Sequence, residues 1–292
     1  MPLQIEAYNK YFKIITEKTM APKNKKNKSK STLASKADKH SLYERSVQCV
    51  EAEIDFIEET YTTLRKKKAV TLREDFCGTA NTSCEWIRRR KTNHAIGVDL
   101  DPEVLAWGKK NNISTLSPAQ QERIVLLNDN VMAVKVDPVD IVLAMNFSYW
   151  IFKDRPSMIG YFKKVYRGLQ NDGIFFLDAF GGYEATRLME ESTDCGKFTY
   201  IWDQDQYNPI NGHCTYKIHY KFKDGSKLKN AFIYEWRIWT LPELTEMLIE
   251  AGFKATIYWE GTDKNNEGNG VFTPATEGEA DAGWVVYIVA EK

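Results

Sequence analysis

Apolar positions recur at helical spacing from about Val50 to Lys66, where Ile54, Phe56, Ile57 and Tyr61 mark one face of a predicted helix. The spacing then tightens. Leu72-Arg73-Glu74-Asp75 predicts a short strand that enters the tight turn Phe76-Cys77-Gly78-Thr79-Ala80, and Asn81 to Ile87 predicts the helix leaving it. Farther on, Ala95-Ile96-Gly97-Val98-Asp99 predicts a second strand ending in acid. Asp101-Pro102-Glu103 opens the next helix, with the aspartate as cap and proline at the first helical position. Arg123-Ile124-Val125-Leu126-Leu127, Asp140 to Met145 and Ile174 to Leu177 predict three more strands. Strands alternating with helices predict an α/β chain built around a mostly parallel sheet.

After Leu177 the pattern changes. Residues 198–239 read as antiparallel strands: Phe198 to Trp202, His213 to Phe222, a Lys223-Asp224-Gly225-Ser226 turn, and Ala231 to Trp239. This insertion is dense in Trp, Tyr and His. Leu241 to Phe253 then predicts a last helix with Gly252 as its C-cap. Ala255 to Trp259 and Trp284 to Ala290 are expected as adjacent antiparallel strands, bridged by a glycine-rich loop over Glu260 to Gly283.

The chain has 292 residues with 43% hydrophobic content, enough for one large core. Forty basic residues balance forty acidic ones, so no global charge draws it to nucleic acid. No apolar run approaches the roughly 20 residues of a membrane span, and no signal peptide is visible. The five cysteines, Cys49, Cys77, Cys84, Cys195 and Cys214, are scattered and unpaired in spacing, which predicts reduced thiols in a cytoplasmic protein. With four histidines, they show no ligand spacing, so no metal site is expected. Residues 1–37 form a lysine-rich arm expected to lack order, with two readings open: a solubilising extension, or a nuclear-import or RNA-touching tail. The folded domain is expected over 38–292, with 38–66 as an N-terminal lid and helix.

The turn at Gly78 and the acid at Asp99 carry the chemistry. Backbone N–H groups at a glycine turn before a helix can approach a ligand closely, and a carboxylate ending the next strand can accept from both ribose hydroxyls. A nucleoside cofactor is the expected ligand. The turn departs from the dinucleotide pattern Gly-x-Gly-x-x-Gly, since Phe76 and Ala80 stand where glycines belong, which disfavours a nicotinamide dehydrogenase. It resembles motif I of the class I S-adenosylmethionine-dependent methyltransferases. On that resemblance Glu74 is the motif acid, Cys77-Gly78-Thr79 the turn, and Phe76 replaces the first glycine. Asp99 is then the ribose acid with Leu100 beside it, and Asp129 and Asn130 meet the adenine. Asp140 to Tyr149 corresponds to motif IV, placing Asn146 under the methyl donor. The resemblance covers about Leu42 to Lys292. It implies a doubly wound, seven-stranded, mostly parallel sheet with the antiparallel insertion capping the substrate side, S-adenosylmethionine as cofactor and S-adenosylhomocysteine as product.

Tyr43, Ser46 and Gln48, just before the first long helix, are candidates to fold over the cofactor as a lid, with simple packing as the alternative for Tyr43. An insertion at this place implies a small-molecule acceptor, with a monomer or homodimer as the acting form. Trp150, Trp202, Asp203 and Gln204 are candidate walls of its pocket. His213 and His219, at an even separation and so on one strand face, are candidate general bases, and Tyr149 is the third candidate catalytic group. Two further readings stay open: a protein or RNA methyltransferase using the basic arm, and a non-catalytic binder of the same cofactor.

Overall fold

The computed structural model describes residues 31–264 and 268–292. Most of the lysine-rich arm, residues 1–30, lies outside that range. Its last residues carry α1 (Leu33–Lys36), where the Leu33 amide donates to Asp224 over 2.9 Å and the Ala34 amide to Ser226 Oγ over 3.1 Å. That end of the arm is therefore docked on the 223–226 turn of the insertion.

Twelve strands and eight α-helices follow one another along the described chain. After α2 (Lys39–Val47) and α3 (Val50–Arg65) come β1 (Thr71–Asp75), α4 (Asn81–Arg89), β2 (His94–Asp99), α5 (Pro102–Asn111), α6 (Pro118–Gln121) and β3 (Ile124–Asn128). Then β4 (Val139–Ala144), a 3-10 turn at Ser148–Ile151, α7 (Arg155–Gly168) and β5 (Leu169–Gly181) complete the parallel half. The order across the large sheet is β11-β10-β12-β5-β4-β1-β2-β3. Strands β1 to β5 are parallel, and β12 (Trp284–Glu291), β10 (Lys254–Thr262) and β11 (Gly268–Ala275) extend the β5 edge antiparallel.

Both faces of this sheet are covered, because its strands are apolar on both sides. Ile54, Ile57 and Tyr61 of α3, with Trp86 and Ile87 of α4, bury against Leu72, Ile141 and Leu143. Met158, Phe162 and Val165 of α7, with Leu244 and Leu248 of α8 (Leu241–Glu250), bury against Val142, Phe175 and Leu177 on the other face. Burying each such side chain contributes about 1.5–3 kcal/mol. Inside this second face sits a buried charge network: Arg73 Nε donates to Asp75 Oδ1 over 2.8 Å, and the Tyr161 hydroxyl donates to Asp75 Oδ2 over 2.9 Å. Positions 73 and 75 share a strand face, which brings the pair together at the end of β1.

The sheet has eight strands where seven are expected. The added strand β11 lies within the segment read as a glycine-rich loop, and it is held by Phe272, whose ring packs 4.6 Å from Tyr287 and 6.0 Å from Phe56. It is an edge strand, where Pro274 leaves no central ladder bond unmade. The insertion likewise has four strands, not three. Its order is β6 (Met189–Asp194), β7 (Phe198–Tyr207), β8 (His213–Phe222) and β9 (Lys227–Arg237), so it begins before residue 198. Strand β6 reads Met-Glu-Glu-Ser-Thr-Asp, a charged edge with no apolar alternation to announce it. After α8 the chain reverses at Gly252, whose φ of +109° and 2.9 Å amide bond to the Ile249 carbonyl make it the left-handed residue just past the Ala251 cap.

Candidate active site

The order β3-β2-β1-β4-β5 reverses direction of winding at β1, so the carboxyl ends of β1 and β4 border a crevice at the topological switch point. Two unusual stretches of backbone meet there. After β1, Phe76, Gly78 and Ala80 adopt φ of +59°, +53° and +57°. After β4, Asn146 and Phe147 adopt +67° and +59°. Four of these five residues have a Cβ, and left-handed geometry costs each of them about 1–2 kcal/mol. The positions where the resemblance expects glycine thus keep glycine-like backbone although Phe76 and Ala80 occupy them.

The turn after β1 is fixed by its neighbours. Cys77 donates from its amide to the Val98 carbonyl over 3.0 Å, and the Gly78 amide donates to Asp99 Oδ2 over 2.9 Å. Asp99 Oδ1 also accepts the Asp101 amide over 2.9 Å. Two glycines make the approach possible: a Cβ at Gly97 would meet Cys77 Sγ at 2.8 Å, and one at Gly108 would meet the Thr79 carbonyl oxygen at 2.4 Å. Glu74 is buried and accepts from the amide and hydroxyl of Ser83 in the first turn of α4. Burial pushes its pKa up to about 8, the Ser83 bonds opposing and the nearby Glu53 and Asp99 adding to the rise.

Beside Asp99 the side chain of Leu100 is 47% exposed, an apolar surface at the mouth of the second strand. Asp129 and Asn130 follow β3 and are exposed, and the Asp129 amide donates to the Asp99 carbonyl over 3.1 Å. Asn128 Nδ2 binds the Leu100 carbonyl over 2.9 Å. The expected ribose and adenine residues are therefore neighbours at one strand edge.

Helix α2 lies between this turn and the cap. Glu44 Oε1 accepts from Thr79 Oγ1 and from Asn112 Nδ2, each over 2.7 Å, and Gln48 Oε1 accepts from Asn81 Nδ2 over 2.8 Å. Tyr43 packs 4.9 Å from Phe232 of the cap, and Ser46 Oγ lies 3.4 Å from the Tyr220 hydroxyl. Of the expected lid residues, Gln48 touches the turn, while Tyr43 and Ser46 touch the cap. Glu44 was not legible as a lid residue, although it stands one helical turn from Gln48.

At the end of β4, the amides of Asn146 and Phe147 donate to the two oxygens of the Asp178 carboxylate over 2.6 and 2.8 Å. The protein's own acid fills this pair of N–H groups. Asn146 is buried, and among the described residues its Oδ1 has no hydrogen-bond partner. Tyr149 is fully buried and its hydroxyl donates to the Asp178 carbonyl over 2.7 Å. Burial pushes its pKa well above the usual range, so the structure assigns it to anchoring β5 and not to proton removal.

The cap presents an aromatic inner face to this strand end. Trp202, Tyr216, Tyr234 and Trp236 are buried together, and Trp236 lies 6.2 Å from Phe147 and 6.1 Å from Trp150. Trp150 stacks on Phe180 at 4.7 Å. Gln204 shares the inner face and donates to the carbonyls of Glu184 and Arg187 over 2.9 and 2.6 Å. Strand alternation sends the other expected residues away. Cys214, Tyr216, Ile218 and Tyr220 are buried on the inner side, so His213, Lys217 and His219 point to the outer side, with Asp203 of β7 beside them.

On that outer side, Asn230 at φ +51° interrupts the β8–β9 ladder, and its amide donates to His219 Nδ1 over 2.8 Å. An Nδ1 that accepts carries no proton, so the proton sits on Nε2, which faces Asp203 Oδ2 at 3.1 Å. The one lone pair that could take a proton is occupied. His219 is therefore a bulge-capping residue, and neither histidine faces the crevice, which corrects their expected role as general bases. Asp203 is likewise corrected from pocket wall to outer-face partner. Glu190, Asp203 and His219 bring ligand atoms within 4.8 Å of one another, but a metal on Nε2 would require a proton on Nδ1, where the Asn230 amide already points.

No family model matches the chain, and no curated protein matches it in sequence. Solved structures do match. A S-adenosylmethionine-dependent methyltransferase from Clostridium acetobutylicum superposes with a TM-score of 0.63 at 17% identity, over 86% of this chain and 96% of that one. This chain has the class I methyltransferase fold. The methyltransferase fold is shared with CalS10, an amino pentose methyltransferase from Micromonospora echinaspora, at a TM-score of 0.62 and 13% identity over 86% and 95% of the two chains. It is shared again with the sugar N-methyltransferase KedS8 from Streptoalloteichus, at 0.59 and 14% over 96% and 99%. Among the described residues, no helix of this methyltransferase fold is long and apolar enough to cross a membrane.

Proposed function

We propose that this protein transfers a methyl group from S-adenosylmethionine to a small-molecule acceptor. The observation that carries the reading is the crevice between β1 and β4, where the left-handed turn at Phe76–Ala80, the Asp99 carboxylate and the left-handed pair Asn146–Phe147 border one space. An exposed Leu100 beside Asp99 and a buried Asn146 Oδ1 with no partner among the described residues suit an adenosine at one end and a reacting centre at the other. Three neighbours of this fold are described as methyltransferases, two of them acting on sugars.

Bound S-adenosylmethionine would supply a methyl group on a positively charged sulfur. Asp99 and Leu100 hold the nucleoside, with Asp129 and Asn130 at the base, while the Gly78 turn lets the backbone approach closely. Glu44 of α2 holds Thr79 of the turn and Gln48, at the helix end, holds Asn81 just after it, a placement from which both would keep water from a bound donor. Trp150, Trp202 and Trp236 shape the acceptor side, so that alignment of nucleophile, methyl carbon and sulfur supplies most of the rate.

Methyl-labelled S-adenosylmethionine incubated with the purified protein and a size-fractionated cell extract tests the reading. Label is expected in the low-molecular-weight fraction. Label confined to protein or RNA would instead favour a macromolecular substrate reached through the basic arm.

A further inference from the structure

Two adjoining cavities open at the same edge of the sheet as the crevice. One is lined by Phe180, Glu184, Glu191, Trp202, Gln204 and Trp284, between the cap and the end of β5. The other shares Gly283, Trp284 and Val285 with it and adds Trp259, Glu260, Glu277, Glu279 and Asp281. Among the described residues, six carboxylates line the pair, and no Lys, Arg or His does. Arg187 neutralises one of the six, Glu184, at 2.7 Å. The two indoles, Trp259 and Trp284, line the outer cavity with ring centres 5.5 Å apart at 44°. Burial raises the pKa of Glu191, with Glu184 adding to it, and burial also raises that of Glu260. A positive ligand would relieve both.

The inner cavity ends on Phe180, which stands one ring away from the end of β4. Phe180 packs 4.7 Å from both Phe147 and Trp150, and Phe147 directly follows Asn146, whose buried Oδ1 has no partner among the described residues. Among the described residues, none of the groups expected as a base faces that point. Both insertion histidines lie on the outer side of the cap, the Tyr149 hydroxyl donates to a carbonyl, and both oxygens of Asp178 accept backbone amides. A hydroxyl acceptor needs its proton removed as it attacks, whereas a neutral amine attacks with a lone pair it already has.

Resting on the methyltransferase reading above, we infer that the acceptor is a primary or secondary amine, drawn in through the acidic Trp259–Trp284 passage and oriented by an N–H donated to Asn146 Oδ1. The ammonium drawn in first gives one proton to water; the freed nitrogen lone pair then forms the new N–C bond as the S–C bond pair returns to sulfur, and the methylated ammonium releases a second proton to water.

The test uses the full chain with methyl-labelled S-adenosylmethionine and a low-molecular-weight extract divided in two. One half is treated with acetic anhydride in water to block its amines. Calorimetric titration with S-adenosylhomocysteine runs in parallel. Label should enter cation-exchange-retained products from the untreated half and fall at least tenfold in the acetylated half. The double variant Glu191→Gln/Glu260→Gln should raise KM for the amine fraction about tenfold while leaving calorimetric binding of S-adenosylhomocysteine unchanged. Equal label from both halves overturns the amine assignment and leaves methyl transfer standing. Absence of S-adenosylhomocysteine binding overturns both.

Discussion

The Gly78 amide donates to the Asp99 carboxylate across 2.9 Å, tying the turn after the first strand to the end of the second. Asp99 therefore shapes the turn, and the proposed ribose contact would use the same carboxylate. Asp99→Ala should weaken S-adenosylhomocysteine binding by about 1–3 kcal/mol, the cost of losing hydrogen bonds to a charged partner, and should also lower the melting temperature. Titration calorimetry beside a thermal melt checks both, and wild-type affinity in the variant would remove Asp99 from the donor site.

Ala80 is fully buried at φ +57°, where glycine would be unstrained. Ala80→Gly should raise stability by about 0.5–1 kcal/mol, because the strain relieved exceeds the entropy added to the unfolded chain. A urea midpoint that falls would show that the methyl group packs more favourably than its backbone costs.

Much of this architecture is legible before any coordinates. Apolar runs ending in Glu74-Asp75 and Asp99 mark β1 and β2, and β8 has the boundaries its alternation predicts. Other features are not, for identifiable reasons. The charged edge β6 and the glycine-flanked β11 lack the alternation that marks a half-buried strand. Phe76 and Ala80 argue sterically against the very turn they adopt, since only the surrounding bonds from Val98, Asp99 and α4 enforce it. Alternation puts His213 and His219 on one face, yet which face meets the core depends on partner strands distant in sequence. The Arg73–Asp75 pair carried a readable signal, opposite charges two apart in an apolar strand.

Glu74 gives the site a pH dependence. Its folded pKa of about 8 lies above the unfolded value of 4.5, so the stability it contributes is complete below 4.5 and is lost as pH rises through 8. Glu74→Gln keeps an oxygen for the Ser83 amide and removes the titration. Denaturant midpoints at pH 6 and pH 9 should therefore diverge, the variant gaining on wild type by on the order of a few kcal/mol at the higher pH. A constant difference across that range would contradict the raised value.

His219 accepts the amide of Asn230 at a break in the cap ladder, and its removal leaves that amide unpaired. His219→Ala should cost about 1–3 kcal/mol in stability, seen in chemical unfolding, with methyl transfer per folded molecule retained. Loss of transfer in a stably folded variant would return this histidine to the chemistry.

The crevice between β1 and β4 is proposed as a nucleoside site. Calorimetric titration of the full chain with S-adenosylhomocysteine tests it most directly, with Asp99→Ala beside the wild type. One saturable site is expected in the wild type, with markedly weaker binding in the variant. No binding by the wild type, or equal binding by both proteins, would contradict it.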